Sequence, residues 1–331
     1  MATYPIFGDT DGTLSGSARG ASQELRGPDI PDGSRFAIYG DASVITDTAR
    51  GGNDWIVGPK LPGGGGSFAD LYGDAGTLSG HGRGGNDAVF ASDGPRNEVF
   101  GDADTITDHG RGGNDLVVGA SGPGNFSFIY GDANTLMMFG QGGNDLVIAG
   151  TGGAQNWMAG DAQGMLDNSR GGNDTVIGFG RMAGDAIYML NNSHGGNDLL
   201  VAVAQGGLMY GDAQEVRQNS GSAAHVVCGN DTLVSGTGND DMWGDVGGSY
   251  PGTVTGADTF VFNRNSGHDA IEDFETGKDK VDLRAYAVEG VHGVVDLSMA
   301  ATEAGYVVAL PDGSSVTFHG MTPVASDILF A

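Results

Sequence analysis

The sequence predicts an all-β protein: a parallel β-roll or β-helix solenoid, capped at its C-terminal end by a β-sandwich-like segment. Three observations carry that prediction. One phrase, RGGND, stands at 50–54, 83–87, 111–115 and 170–174, with looser copies beginning at Gln141, His194 and Cys228. A second phrase alternates with it: IYGDA at 38–42 and 129–133, LYGDA at 71–75, VFGDA at 99–103, MAGDA at 158–162 and 182–186, and MYGDA at 209–213. The third is spacing. The GDA glycines recur every 24 to 33 residues, and in six repeats a GGND glycine follows 11 residues later, as at 40 and 51 or 101 and 112. Periods of this length mark stacked coils, none of which buries its apolar face alone.

Each phrase brings a strand. After GGND the alternation of side chains turns Ile56, Val89, Val117, Val147, Val176, Leu200 and Leu233 inward. Before GDA it turns Ile38, Leu71, Val99, Ile129, Met158, Met182 and Met209 inward. Both ladders stack at about 4.8 Å per coil, and each buried side chain contributes roughly 1.5–3 kcal/mol. In seven copies the residue just before the GD glycine is aromatic and points outward: Phe7, Tyr39, Tyr72, Phe100, Tyr130, Tyr210 and Trp243. The expectation is that the segment inserted between the two phrases folds over these rings, against the alternative of an exposed platform for sugars or a partner. The insert carries its own apolar column, Ile45, Leu78, Ile106, Leu136, Met165, Met189 and Val216, which leaves open a two-sided or a three-sided coil.

Composition narrows the class. Glycine supplies 63 of 331 residues without a Gly-X-Y period, which excludes collagen. Acids outnumber bases 42 to 15, for a net charge of −27, and only seven of the acids are glutamate. So negative a surface makes nucleic acid an improbable partner. The register of the aspartates with Val, Leu and Ile argues for order rather than an acidic disordered chain. No apolar run reaches the length of a spanning helix. The opening stretch MATYPIFGDTDG has neither a basic n-region nor an apolar h-region, so no classical signal peptide is expected. The single cysteine, Cys228, stands where other copies have glycine and reads as a small residue in a tight turn.

Stacked coils also stack Asp54, Asp87, Asp115, Asp145, Asp174, Asp198 and Asp231. Two carboxylates about 5 Å apart repel by roughly 3 kcal/mol at an effective dielectric near 20. That offsets most of what one buried Val or Leu contributes. Arg50, Arg83, Arg111 and Arg170 form a like-charged column of their own, and are expected to pair with Asp47, Asp108 and Asp167 three residues upstream. The aspartate column therefore calls for a divalent cation between turns. Calcium suits it, taking six to eight oxygens from carboxylates and carbonyls in flexible geometry. For the GDA aspartates Asp41, Asp74, Asp102, Asp132, Asp161, Asp185 and Asp212, metal ligation and an exposed turn remain alternatives.

With these residues in view the chain resembles the RTX, or hemolysin-type, calcium-binding repeats. The likeness is plainest at GNDTLVSGTGNDDMWGD, 229–245, where Asp231 and Asp240 lie nine apart. Elsewhere the insert interrupts the nonapeptide, so one strong calcium edge is expected along 40–231. The stretch GADTFVFNRNSGHDAIEDFETGKDKVDLRAY resembles the C-terminal domain that follows RTX repeats in serralysin-type proteases, without a protease domain. The resemblance extends the metal column to Asp240, Asp258 and Asp269. It implies a division into a repeat domain, 1–251, and a cap with a type I secretion signal, 252–331, ending on Asp327-Ile328-Leu329-Phe330.

The function expected is a secreted calcium-binding protein that folds outside the cell as a matrix, surface or adhesive component. Its partners would be several calcium ions, the type I exporter, and extracellular polysaccharide or further copies of itself. The alternative is a secreted polysaccharide lyase or epimerase on a β-helix. HExxH and GxSxG are absent, and His81, His109 and His194 read as loop residues, so no catalytic residue is assigned.

Overall fold

The computed structural model describes residues 3–29, 34–60, 67–92, 96–122, 126–151, 155–217, 225–248, 250–303 and 305–330. It is a parallel β-solenoid whose coils run through three strands. The first precedes GDA, as in Arg35–Tyr39, Phe68–Tyr72, Arg96–Phe100 and Phe126–Tyr130. The second lies in the insert, as in Ala42–Ile45, Ala75–Leu78, Ala103–Ile106 and Ala133–Leu136. The third follows GGND, as in Trp55–Val57, Ala88–Phe90, Leu116–Val118 and Leu146–Ile148. Each strand pairs in parallel with its equivalent one coil on: Ile38 with Leu71, Ile45 with Leu78, Ile56 with Val89.

The insert strand is present, yet it is not the third side of one core. The coil is pinched at a waist, where the GD turn faces the GGND turn, and each side of the waist has its own core. On one side Ile38, Leu71, Val99 and Ile129 interlock with Ile56, Val89, Val117 and Val147, all fully buried. On the other, Ala42, Ala75 and Ala103 pack with Ile45, Leu78 and Ile106 inside the inserted lobe. Alanine at the head of the insert strands from Ala42 to Ala213 fits this thin lobe, where the two walls are close.

The outer aromatic residues form a third cluster. Phe7, Tyr39, Tyr72 and Phe100 stack in sequence with centroids 4.8, 4.8 and 5.0 Å apart. Tyr72, Phe100, Tyr130 and Tyr210 are buried. The lobe covers them, as expected, but not through Ile45 and Leu78, which face the lobe's own interior. The covering face carries Gln163, whose amide donates to the Tyr130 hydroxyl, and Ile187.

Two coils lack a break between the strand after GGND and the strand before the next GDA, which merge into Thr175–Ala183 and Leu199–Tyr210. Toward the C-terminus the solenoid pairing continues from Leu233 to Phe260 to Val281. Beyond it Ser298–Thr302, Gly305–Ala309 and Ser315–Phe318 form an antiparallel set, joined in parallel to His268–Ile271. This set closes the open end of the stack and buries Phe260, Phe274, Tyr286 and Phe318. Among the described residues no helix is long and apolar enough to cross a membrane.

Candidate metal centre

The aspartates meet at the waist. After each GGND, the aspartate accepts a hydrogen bond on Oδ1 from the backbone N–H of its equivalent in the preceding coil. Asp54 N–H donates to Asp87 at 2.6 Å, and Asp87 to Asp115, Asp115 to Asp145, Asp145 to Asp174 and Asp174 to Asp198 at 2.7 Å each. The column continues through Asp231 to Asp258 at 2.8 Å. In all eight residues Oδ2 is buried without a hydrogen-bond partner among the described residues.

A glycine makes room for each of these oxygens. A Cβ on Gly73 would sit 1.5 Å from the Gly101 carbonyl oxygen and 2.4 Å from Oδ2 of Asp87. On Gly101 the same atom would meet the Gly131 carbonyl at 1.7 Å and Asp115 Oδ2 at 2.2 Å. So the GDA glycine opens a cradle in which a lone carboxylate oxygen and a backbone carbonyl from the next coil converge. Any side chain there would fill it.

The GDA aspartates belong to the same centre. Asp41, Asp74, Asp102, Asp132, Asp161, Asp185 and Asp212 are fully buried rather than exposed on a turn. Each reaches across the waist to the next GGND turn, 11 residues later in six of them and 17 at Asp212: Asp41 accepts from Gly52 N–H at 2.9 Å, and Asp132 from Gly143 N–H at 2.8 Å. Their other oxygens are partly orphaned, at Asp41 Oδ1 and at Oδ2 of Asp161, Asp185 and Asp212. The reading of these residues as possible exposed turn residues fails because the GD turn points into the waist. The 11-residue spacing kept in six of the seven copies was the signal available for this. It requires the two phrases to face each other in every coil.

So many buried carboxylates are untenable as bare anions. Burial, then the neighbouring charge of Asp41, pushes Asp54 up to about 7. Burial and Asp231 push Asp258 up to about 10. Mid-column, burial and then Asp132, Asp115 and Asp174 hold Asp145 well above the carboxylate range. Orphaned carboxylate oxygens beside backbone carbonyls are an all-oxygen, strongly anionic donor set of the kind hard divalent cations take. The residues present fit calcium.

Asp240 and Asp269 lie elsewhere. They stand at the opposite edge of the coil, between the strand after GGND and the strand before GDA. Asp240 accepts from Gly207 N–H at 2.7 Å and Gly236 N–H at 3.0 Å. Asp269 accepts from Asp240 N–H and the Ser235 hydroxyl, both at 3.0 Å. All four of their oxygens are in use.

The remaining expectations divide. The arginines make no ion pair with Asp47, Asp108 or Asp167 among the described residues. Asp47 instead accepts from Gly16 N–H at 3.0 Å and Asp167 from the Asn191 amide at 2.8 Å. These acids sit at the tip of the lobe, where the backbone is left-handed: φ is 60° at Asp47, 55° at Asp108 and 52° at Asp167. Asp and Asn tolerate that conformation better than most residues, so turn geometry explains them. His81 and His109 lie exposed in these same turns. Cys228 is buried between Asp212 and Asp245, with its Sγ and one oxygen from each carboxylate all within 4.8 Å of one another. Burial, then Asp212 and Asp245, hold its thiol well above its ordinary range.

No curated protein matches the chain. Residues 40–309 match the model of the peptidase M10 serralysin C-terminal family. That span is well over half of the 331 residues and includes the repeats and most of the cap. The protein belongs to the peptidase M10 serralysin C-terminal family, with its RTX repeats wound as a β-solenoid.

Proposed function

We propose that this is a secreted calcium-binding β-roll protein that folds as it binds calcium outside the cell and serves as a structural or adhesive component of a surface or matrix. The row of buried, unpartnered Oδ2 atoms from Asp54 to Asp258 carries the reading. Asp54, Asp87, Asp115, Asp145, Asp174, Asp198, Asp231 and Asp258 would hold the ions with the glycine carbonyls, and the GDA aspartates would complete the negative charge around them. Bound calcium supplies the positive charge that lets adjacent coils close. Where no site exists before folding, binding and folding are one event. The family membership supports export by a type I system, with 252–331 as cap and address. A low-calcium cytosol would then keep the chain open until it is outside.

The adhesive reading is favoured over a lyase or epimerase. The aromatic residues that would line a catalytic groove beside the GDA strands are covered by the lobe, and burial pushes the Tyr72 hydroxyl well above its ordinary range. Asp70, a carboxylate on that face, is itself buried and ion-paired with Arg35.

The test is a calcium titration followed by circular dichroism and light scattering at neutral pH. In excess chelator the chain should lack β-structure. It should gain it cooperatively at about millimolar calcium, with magnesium a poor substitute because it prefers rigid, hydrated octahedral sites. Light scattering separates a folded monomer from calcium-driven assembly. A full β-spectrum in chelator at neutral pH would sink the proposal.

A further inference from the structure

We infer that the arginines preceding GGND form a binding rail for a linear acidic polysaccharide, a polymer with one carboxylate on each sugar, lying along the solenoid axis. The inference deepens the adhesive reading by naming what is adhered to, and it rests on the coils being closed.

Parallel bridges stack Arg19, Arg50, Arg83 and Arg111 on consecutive coils, followed by Gln141, Arg170 and His194. The arginines are exposed, and Arg50, Arg83, Arg111 and Arg170 make no ion pair among the described residues. In a chain of net charge −27 that is unexpected. Neighbouring guanidinium groups one coil apart repel by about 1 kcal/mol even in water. The fold does not require the charge, since Gln141 and His194 occupy the same ladder. What the ladder provides is a row of planar bidentate donors, suited to carboxylates. Their spacing, about 4.8 Å, is fixed by the sheet and is close to the length of one sugar ring.

The surroundings suit a polar polymer. A groove of about 310 Å³ runs between Arg50, Arg83, Arg111 and Gln141 on one wall and Asn86, Asn114 and Asn144 on the other. Those asparagines are themselves in register, each Oδ1 accepting the backbone N–H of the next asparagine, as Asn86 does from Asn114 at 3.1 Å. Two residues upstream of the rail the rings of His81, His109 and Phe139 stack at 5.5 and 5.1 Å. Phe139 is half exposed with φ of 66°, and its neighbour Met138 is half exposed with φ of 50°. The same left-handed turn recurs at Asp108–His109 and Asp167–Asn168, so the turn sets these angles, and it leaves the two apolar side chains turned toward solvent. Aromatic faces beside a cationic groove fit sugar rings bearing carboxylates.

The experiment measures binding of fluorescent oligogalacturonate to full-length protein in saturating calcium, by anisotropy, with circular dichroism confirming closed coils in each variant. Wild type should bind, and bind less as salt rises. The methyl-esterified oligomer, the same backbone without charge, should not bind. The double variant Arg83→Gln/Arg111→Gln should weaken binding about a hundredfold, two charge-assisted contacts at roughly tenfold each. Arg26→Gln, which removes a charge off the rail, should change affinity by less than about twofold, as expected for a distant screened charge. Gln141→Arg, which lengthens the rail and adds rather than removes a contact, should tighten binding; this arm stands even if the double variant fails to fold. Folded double variant binding like wild type would mean that calcium bridges the polymer to surface acids, and would overturn the inference. So would equal binding of the methyl ester, or tighter binding of single-stranded DNA or anionic vesicles. Absence of β-structure in calcium would instead count against the calcium reading itself.

Discussion

The waist and the far edge of the coil both bury aspartates, and they treat them differently. At the waist, Asp54 has one oxygen bonded to Gln23 N–H at 2.7 Å and one left over. At the far edge, Asp269 has both oxygens bonded. Burial pushes both residues up to about 7. Desolvation therefore does not distinguish them. The difference lies in the unspent lone pairs, and in the waist's repetition of them in every coil. A buried carboxylate that accepts a hydrogen bond on each oxygen is anchored by the fold itself. One with an unbonded oxygen near a carbonyl and another carboxylate presents the oxygens that a cation would need.

The largest test of that comparison is pH in the absence of metal. The waist carboxylates have folded-state values above the unfolded one, so their contribution favours folding below about pH 4. It is lost as pH rises through about 7 at Asp54 and about 10 at Asp258. Desalted, calcium-free protein should therefore show more β-structure by circular dichroism near pH 4 than at pH 8. A signal that instead grows with pH would mean that the waist is not the electrostatic fault line. Calcium should abolish the dependence between these two pH values.

Single carboxylates sharpen the contrast. Asp145→Ala should reduce the calcium bound at saturation, measured by equilibrium dialysis, and destabilise the protein by about 3 kcal/mol, the scale for breaking a buried charge network. Asp240→Ala should cost about 1–2 kcal/mol for its stranded N–H donors and leave the bound calcium unchanged. Equal losses of bound calcium would make the far edge a second metal column.

The smallest effect is expected at Cys228→Gly. The thiol stays neutral near pH 7 because burial, Asp212 and Asp245 hold it high. It occupies space where six other coils have glycine. Restoring glycine should lower the calcium midpoint by about twofold, near 0.4 kcal/mol. A higher midpoint would show that the sulfur helps to hold the ion.

Much of this was legible in the sequence because repetition converts local patterns into positions. All fourteen inward residues assigned from alternation are fully buried, from Ile38 and Ile56 to Met209 and Leu233. The Asp54 column was legible for the same reason. What alternation cannot express is where the chain folds back on itself. Ile45 and Leu78 announced a strand, but not that it would build a separate lobe. The GDA aspartates were ambiguous as a result, since a turn at the rim and a turn at the waist share one sequence. The arginine rail was visible as a column. Its lack of ion-pair partners among the described residues was not, because Asp47 and Asp167 stand near in sequence but are engaged by the turn.

The pinched coil also bears on how such a chain can change length. Successive Asp54-type residues are 33, 28, 30, 29, 24 and 33 apart, a wide spread for stacked units. Across the waist, from each GDA aspartate to the glycine it accepts from, the separation is 11 in six coils and 17 only in the last of the column's inserted coils. Insertions and deletions have thus accumulated almost wholly in the connection from the GGND strand to the next GDA strand. That connection is the permissive site of the repeat. Foreign peptides grafted there would be displayed at the pitch of the sheet, in a row, without touching the charges that hold the coils together.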